Sequence, residues 1–288
     1  MKMPAFVYAR AHDVDEALAL LAEAGDEAKL LAGGQSLLPV LAFRLFRPTH
    51  VVDVDSVDGL AALEERDGEL ELGALVRHAR LEHADLQGGQ RLFSLAARHI
   101  GHLPIRTRGT LGGSLAHADP SAELCVAALA LDARIVARSS RGEREIEMRH
   151  FVLGPFTTAL DPDEMIVAVR IAPSAEFRHA GFREFAVRSG DFALAAAGVL
   201  VGIGDDGSVS GARIVIGAVE PVPRILEEAA EILRGGRLTD GEIEEAAHVA
   251  ARSCDAASDR AMDSGTRRDL VAAVVRDALC DVRAAVAA

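Results

Sequence analysis

The sequence predicts an α+β protein made of three successive units, on three observations. A strand–turn–helix–strand pattern closes within the first 55 residues. Short strands and glycine-bounded helices then follow one another up to Pro173, and beyond it three strands precede three helices. With 288 residues, half of them hydrophobic, the chain can bury a large core divided among subdomains. The expected boundaries are 1–55, 56–173 and 174–288, the last being an antiparallel sheet with helices.

In the first unit Asp13 caps a helix, with Glu16 three residues on, close to a capping box. Val14, Ala17, Leu18 and Leu21 form its buried stripe and Gly25 ends it. A strand over 29–32 runs into Gly33-Gly34-Gln35-Ser36, and a helix follows over 37–46. Pro48 stops that helix, and Val51 to Val54 read as a buried strand. The second unit opens with an alternating strand over 69–72 after the Asp67-Gly68 turn. Helices are expected over 77–84 and 91–100, then a second glycine cluster at Gly109-Thr110-Leu111-Gly112-Gly113-Ser114, then a helix from about 121 to 131. Strands over 133–138, 145–148 and 165–171 complete it. The third unit reads as a meander of 182–187, 192–203 and 213–219, with helices over 224–233, 240–252 and 267–287.

Composition narrows the function. A net charge of −13 argues against nucleic acid or an anionic membrane as the main partner. No apolar run has the length of a membrane span and no leader-like segment opens the sequence, so a soluble cytoplasmic protein is expected. Cys125, Cys254 and Cys280 are too far apart for a zinc or iron–sulfur pattern and read as reduced thiols. His99 and His102 share a helical face without a third ligand, so no metal site is expected. Gly202-Ile203-Gly204-Asp205-Asp206-Gly207 has the dinucleotide spacing, but it leads into another strand and carries two acidic residues that repel phosphate. It reads as a hairpin turn.

The two glycine clusters carry the chemistry. Gly33 and Gly34 permit backbone angles and close approaches that a side chain forbids. Ser36 is a suitable N-cap for the helix that follows, and such a corner presents backbone donors to an anion. The second cluster is expected to add N–H groups, with hydroxyls from Thr110 and Ser114. Neither cluster carries a lysine, which argues against a triphosphate P-loop. Asp119 and Glu123 are acceptors that suit the hydroxyls of a ribose or ribityl chain; Asp119 reads equally well as a helix cap.

Taken together, Ala32-Gly33-Gly34-Gln35-Ser36, Thr110-Leu111-Gly112-Gly113-Ser114 and the run from Ala116 to Glu123 resemble the FAD-binding medium subunit of molybdenum hydroxylases. This is the family of carbon monoxide dehydrogenase and bacterial xanthine dehydrogenase. Leu45-Phe46-Arg47-Pro48 and Arg188-Ser189-Gly190-Asp191-Phe192-Ala193 agree, so the resemblance spans nearly the whole chain in order. It implies the two-subdomain FAD-binding fold of the vanillyl-alcohol-oxidase type, followed by a CO-dehydrogenase-flavoprotein-like domain. It further implies FAD pyrophosphate on the amides of Gly33, Gly34, Gln35 and Ser36, with Leu30 and Leu31 on the adenine side and Ala32 among the cofactor-binding residues. Thr110, Gly112, Gly113 and Ser114 would close over the cofactor, and Asp119 and Glu123 would meet its polar chain. Ile100 and Ile166 would touch the ring or ribityl region, Arg183 would supply a basic group near the flavin, and Phe192 would flank the ring. Ser114 stands where several relatives have asparagine and Glu123 where many have aspartate; both keep the hydrogen-bonding type. The resemblance also implies a molybdopterin-containing large subunit, a [2Fe–2S] small subunit and a dimer of heterotrimers, with electrons leaving through this chain. A stand-alone FAD oxidoreductase of the same binding fold, or a module whose glycine loops merely turn, are the alternatives.

Overall fold

The computed structural model describes residues 3–258 and 262–287. The first unit is a parallel sheet of β1 (Val7–Arg10), β2 (Ala28–Leu31) and β3 (His50–Asp53), with β3 in the centre, joined by helices α1 (Val14–Ala24) and α2 (Leu37–Ala42). Asp13 caps α1 by accepting from the Glu16 N–H at 2.8 Å, and Gly25 ends it at φ +63°. Ala17, Leu18 and Leu21 are buried as the spacing predicts, whereas Val14 is half-buried. Strand β1 went unread in the sequence. It is a short edge strand whose four residues are mostly exposed.

Helix α2 ends earlier than expected. Arg44 takes the left-handed conformation at φ +57°, its N–H donates to Leu41 O, and the Leu45 N–H donates to Val40 O. This is the Schellman closure, built here on a residue other than glycine. The chain has therefore turned before Pro48 can act as a stop.

The second unit is an antiparallel sheet in the order β4 (Leu63–Arg66), β5 (Glu69–Gly73), β10 (Met165–Ile171), β6 (Arg134–Ser139), β7 (Gly142–Glu147); β8 (Val152–Gly154) and β9 (Thr157–Thr158) form a small separate hairpin. Its helices are α3 (His78–Glu82), α4 (Arg91–Ala97), α5 (Leu103–Arg106), α6 (Leu111–His117) and α7 (Glu123–Ala130). In the third unit β11 (His179–Phe185), β12 (Ala195–Ile203), β13 (Val209–Gly217) and β14 (Arg224–Ile225) make an antiparallel meander backed by α8 (Glu227–Glu231), α9 (Asp240–Ser253) and α10 (Ser264–Ala287).

Strand β12 explains how the last two units join. Its sequence, AAAGVLVGI, has no polar alternation, and eight of its nine residues are buried. One face carries Ala196 and Leu200 into the core formed with α4 and α7, and the other carries Ala197, Val199 and Val201 against α9 and α10. Small residues set the spacing: a Cβ on Gly217 would overlap Val126 of α7, and one on Gly181 would overlap the Ala278 carbonyl of α10. The Gly202–Gly207 stretch is the β12–β13 hairpin, with Gly204 N–H donating to Ser208 O at 2.8 Å and Gly207 at φ +77°. Among the described residues no helix is long and apolar enough to cross a membrane, and no group of His, Cys, Asp and Glu could hold a metal.

Candidate functional site

The two glycine corners touch. Strand β2 ends at Leu31, whose carbonyl accepts from Val54 N–H at 2.9 Å, and Gly34 then takes φ +73°. A Cβ on Gly33 would overlap the carbonyl oxygen of Arg108 and stand 2.9 Å from Gly109 Cα. Only glycine lets the chain at 33 lie directly on the chain at 108–109. Leu30, Leu31 and Ala32 are half-buried beside this contact, and the Gln35 side chain donates to Gly33 O at 3.0 Å.

Backbone donors separate the two corners. Among the described residues nothing accepts from the N–H groups of Gly33, Gly34, Gln35 or Ser36. At the second corner every amide from 111 to 114 is spent. Leu111 donates to Val76 O at 2.9 Å, Gly112 to Ala74 O at 2.8 Å, Gly113 to Thr110 Oγ1 at 3.2 Å and Ser114 to Thr110 O at 3.0 Å. The expectation of additional N–H donors there is corrected. Gly112, Gly113 and Ser114 are not a loop but the first turns of α6, with Thr110 as its N-cap. Gly112 is required because a Cβ would come within 2.7 Å of Ala74 Cβ. Thr110 is buried and its hydroxyl caps α6, so what this corner leaves for a ligand is the half-buried Ser114 hydroxyl.

Ser36 departs from expectation too. It sits at the N-cap position of α2, but its own backbone is already helical at ψ −47° and its side chain makes no cap bond. A capping oxygen needs the extended backbone seen at Thr110, with ψ 152°. The Ser36 side chain is exposed.

A clasp that went unread in the sequence holds the corners together. Asp55, just past β3, accepts from Arg77 Nη2 at 2.5 Å and from Arg108 Nη2 at 3.3 Å, and Arg77 also donates to the Arg108 carbonyl. Beneath it, the His78 N–H donates to Gly109 O at 3.1 Å, and its Nε2 lies 2.9 Å from Thr110 O. His78 is buried and its Nδ1 has no partner among the described residues. Burial pushes its pKa down to about 4, so the ring is neutral. No periodicity marks contacts between residues 22 to 53 apart.

Helix α6 closes at Ala118 in the left-handed conformation, and α7 starts at Glu123, two residues later than the helix expected from about 121. Asp119 Oδ1 accepts from Ser121 N–H at 2.8 Å, so it shapes this entry as an Asx turn. Glu123 is the first residue of α7. Burial, the nearby Glu184 and Asp119 raise its pKa to about 8. A half-buried carboxyl at that position is suited to a hydroxyl-bearing ligand.

The remaining expected contacts fall elsewhere. Ile100 and Ile166 are buried in the core shared by the second sheet, α4 and α7, so they back the site from within. Arg183 points to the opposite face of β11, where it makes a two-pronged pair with Asp281 of α10 at 2.6 and 2.7 Å. Strand alternation accounts for this: Gly181 and Arg183 face α10, while Phe182 faces α4. Phe192 is 77 % exposed on the β11–β12 connection. Beside that connection lies a cavity of about 380 Å³ between residues 98–106 and 184–190.

The arrangement is two touching corners, one offering free amides and the other the Ser114 hydroxyl, with an acidic acceptor further along. It can hold a ligand with a phosphate end and a hydroxylated chain. Comparison with known proteins agrees. Residues 4–174 match the family described as the FAD binding domain in molybdopterin dehydrogenase, and residues 180–282 match the CO dehydrogenase flavoprotein C-terminal domain. The chain is 43 % identical over 257 residues to the 6-hydroxypseudooxynicotine dehydrogenase complex subunit alpha of Paenarthrobacter nicotinovorans, covering 88 % of this chain and 86 % of that protein. It is 38 % identical to the nicotine 6-hydroxylase medium subunit of the same organism, over 99 % of both chains. The crystal structure of quinoline 2-oxidoreductase from Pseudomonas putida 86 contains a chain that superimposes with a TM-score of 0.92 at 34 % identity, over 99 % of each chain.

Proposed function

This chain belongs to the FAD-binding family of the molybdopterin dehydrogenases, and we propose that it is the electron outlet of a three-subunit molybdenum hydroxylase. In this reading a molybdopterin-containing large subunit hydroxylates the substrate and a [2Fe–2S] small subunit relays the electrons. This chain passes them to an external acceptor in the cytoplasm, and two such trimers pair. FAD supplies the carrier that couples one-electron centres to a two-electron acceptor.

The chain itself supplies binding and orientation. The amides of Gly33, Gly34, Gln35 and Ser36 hold the pyrophosphate, and Leu30, Leu31 and Ala32 flank the adenine side. The Ser114 hydroxyl and the carboxyl of Glu123 take the polar chain, while Thr110 closes the second corner from behind as the cap of α6 and Gly112 and Gly113 keep that corner close. Phe192 covers the outer side of the site. Ile100 and Ile166 act through the core behind it and Asp119 through the entry of α7, whereas Arg183 is tied to Asp281 of α10 on the far face of β11. The units 1–55, 56–173 and 174–288 enclose the cofactor between them.

The observation that carries this reading is the set of four unspent amides lying against the second glycine corner. It is tested by purifying the chain with its native partners and measuring flavin content. One FAD per chain is expected, together with a molybdenum subunit and an iron–sulfur subunit. A flavin-free spectrum from a folded, reconstituted complex contradicts the reading, and isolation as an active monomer points to a stand-alone oxidoreductase.

A further inference from the structure

On β11 the side chain that turns toward the second unit is Glu184, the neighbour of Arg183. It shares a face with Phe182, whose ring lies 5.3 Å from that of His99 just past α4. The Glu184 side chain is only 7 % exposed. Its Oε1 lies 3.6 Å from His99 Nδ1, and its Oε2 is enclosed with no hydrogen-bond partner among the described residues. Glu184 also lines the 380 Å³ cavity, together with Arg98, His102, Arg106 and Arg188.

A carboxylate oxygen buried without a donor is costly. Arg183 one residue away is satisfied by Asp281, so the strand has not simply run out of partners. Glu123, at the start of α7, senses the charge of Glu184, which helps to raise its own pKa. Carboxyl groups from two units are thus near enough to interact, and that of Glu184 has a buried acceptor atom without a partner among the described residues.

We propose that Glu184 is a cofactor-site residue whose enclosed carboxylate oxygen accepts a hydrogen bond from a hydroxyl or ring N–H of bound FAD. This places the contribution of the third unit on Glu184 rather than on Arg183. The role resembles that of Glu123: both are acceptors suited to donors and unsuited to phosphate. His99 Nδ1 lies beside the other oxygen at 3.6 Å. The inference rests on the reading that this chain binds FAD.

The test is an equilibrium FAD titration of the flavin-free full-length chain, with thermal melting and the visible flavin spectrum recorded on each variant. Glu184→Ala is expected to weaken FAD binding about tenfold and shift the flavin spectrum. Glu184→Gln, which keeps the shape and a weaker neutral acceptor, is expected to lie about threefold below the natural chain. Arg183→Ala loses an exposed ion pair and is expected to bind FAD within about twofold of it. Should Glu184→Ala not fold, Glu184→Gln decides. Unchanged affinity and spectrum in the Glu184 variants, or an equal loss in Arg183→Ala, overturns the inference while leaving FAD binding intact. A natural chain that folds and takes up no FAD instead overturns the reading on which it rests.

Discussion

The corner at 33–36 and the corner at 110–114 look alike as sequence, each a glycine pair beside a hydroxyl residue, yet they are opposite devices. At the first, four N–H groups have no acceptor among the described residues, and Ser36 caps nothing. At the second, four amides are committed to Ala74, Val76 and Thr110, and Thr110 caps α6. The first corner is open to a ligand. The second is a braced wall, fastened to residues 74–78 and pressed against the first through Gly33. A Gly-Gly pair therefore marks a close approach of chains, and only the accounting of backbone donors tells whether that approach serves a ligand or the fold.

This contrast can be broken by mutation, with the largest effect expected at their point of contact. Gly33→Ala must push residue 33 off the Arg108 carbonyl, so the corners separate. FAD affinity is expected to fall at least about a hundredfold, with the third unit still folded; calorimetric titration beside circular dichroism checks this.

The wall should also be acid-sensitive. His78 is neutral in the folded protein with its pKa near 4, against 6.5 when free. Between those values the unfolded chain binds the extra proton, so stability is full above about pH 6.5 and falls as the pH drops toward 4. The loss by pH 4 is roughly 3 kcal/mol. Denaturant melts of the natural chain and His78→Gln should diverge over that window, the natural chain showing the steeper loss.

Smaller effects separate the two hydroxyl residues. Thr110→Ala removes a cap bond and should cost about 1 kcal/mol, while Thr110→Ser restores most of it. Ser36→Ala removes no cap bond, so its melting temperature should match the natural chain, and any loss should appear in FAD affinity alone. A lowered melting temperature for Ser36→Ala would erase the distinction drawn between the corners.

Much of this was legible in the sequence where local patterns suffice. Strand β10 falls on 165–171 as the apolar run predicts, and the glycine corner after β2 follows from Leu-Leu-Ala-Gly-Gly. The Asp-Asp hairpin at 205–206 was separable from a dinucleotide loop by charge. The rest depends on distant parts of the chain. The end of α2 at Arg44 is set by a left-handed residue that composition does not mark. The glycines of the second corner became helical because residues 74–76 accept their N–H groups. The Asp55–Arg77–Arg108 clasp joins residues with no shared period. Alternation along β11 distinguishes Arg183 from Glu184, but only the positions of α4 and α10 say which of them faces inward.

The most direct test of the central claim is amide hydrogen exchange on the full-length chain with and without FAD. The N–H groups of Gly33, Gly34, Gln35 and Ser36 should exchange fast in the free chain and become protected once one equivalent of FAD is added, while those of Leu111 to Ser114 should be slow in both states. Slow exchange at 33–36 without FAD, or no change there at saturating FAD, would contradict the assignment of that corner as the open half of the site.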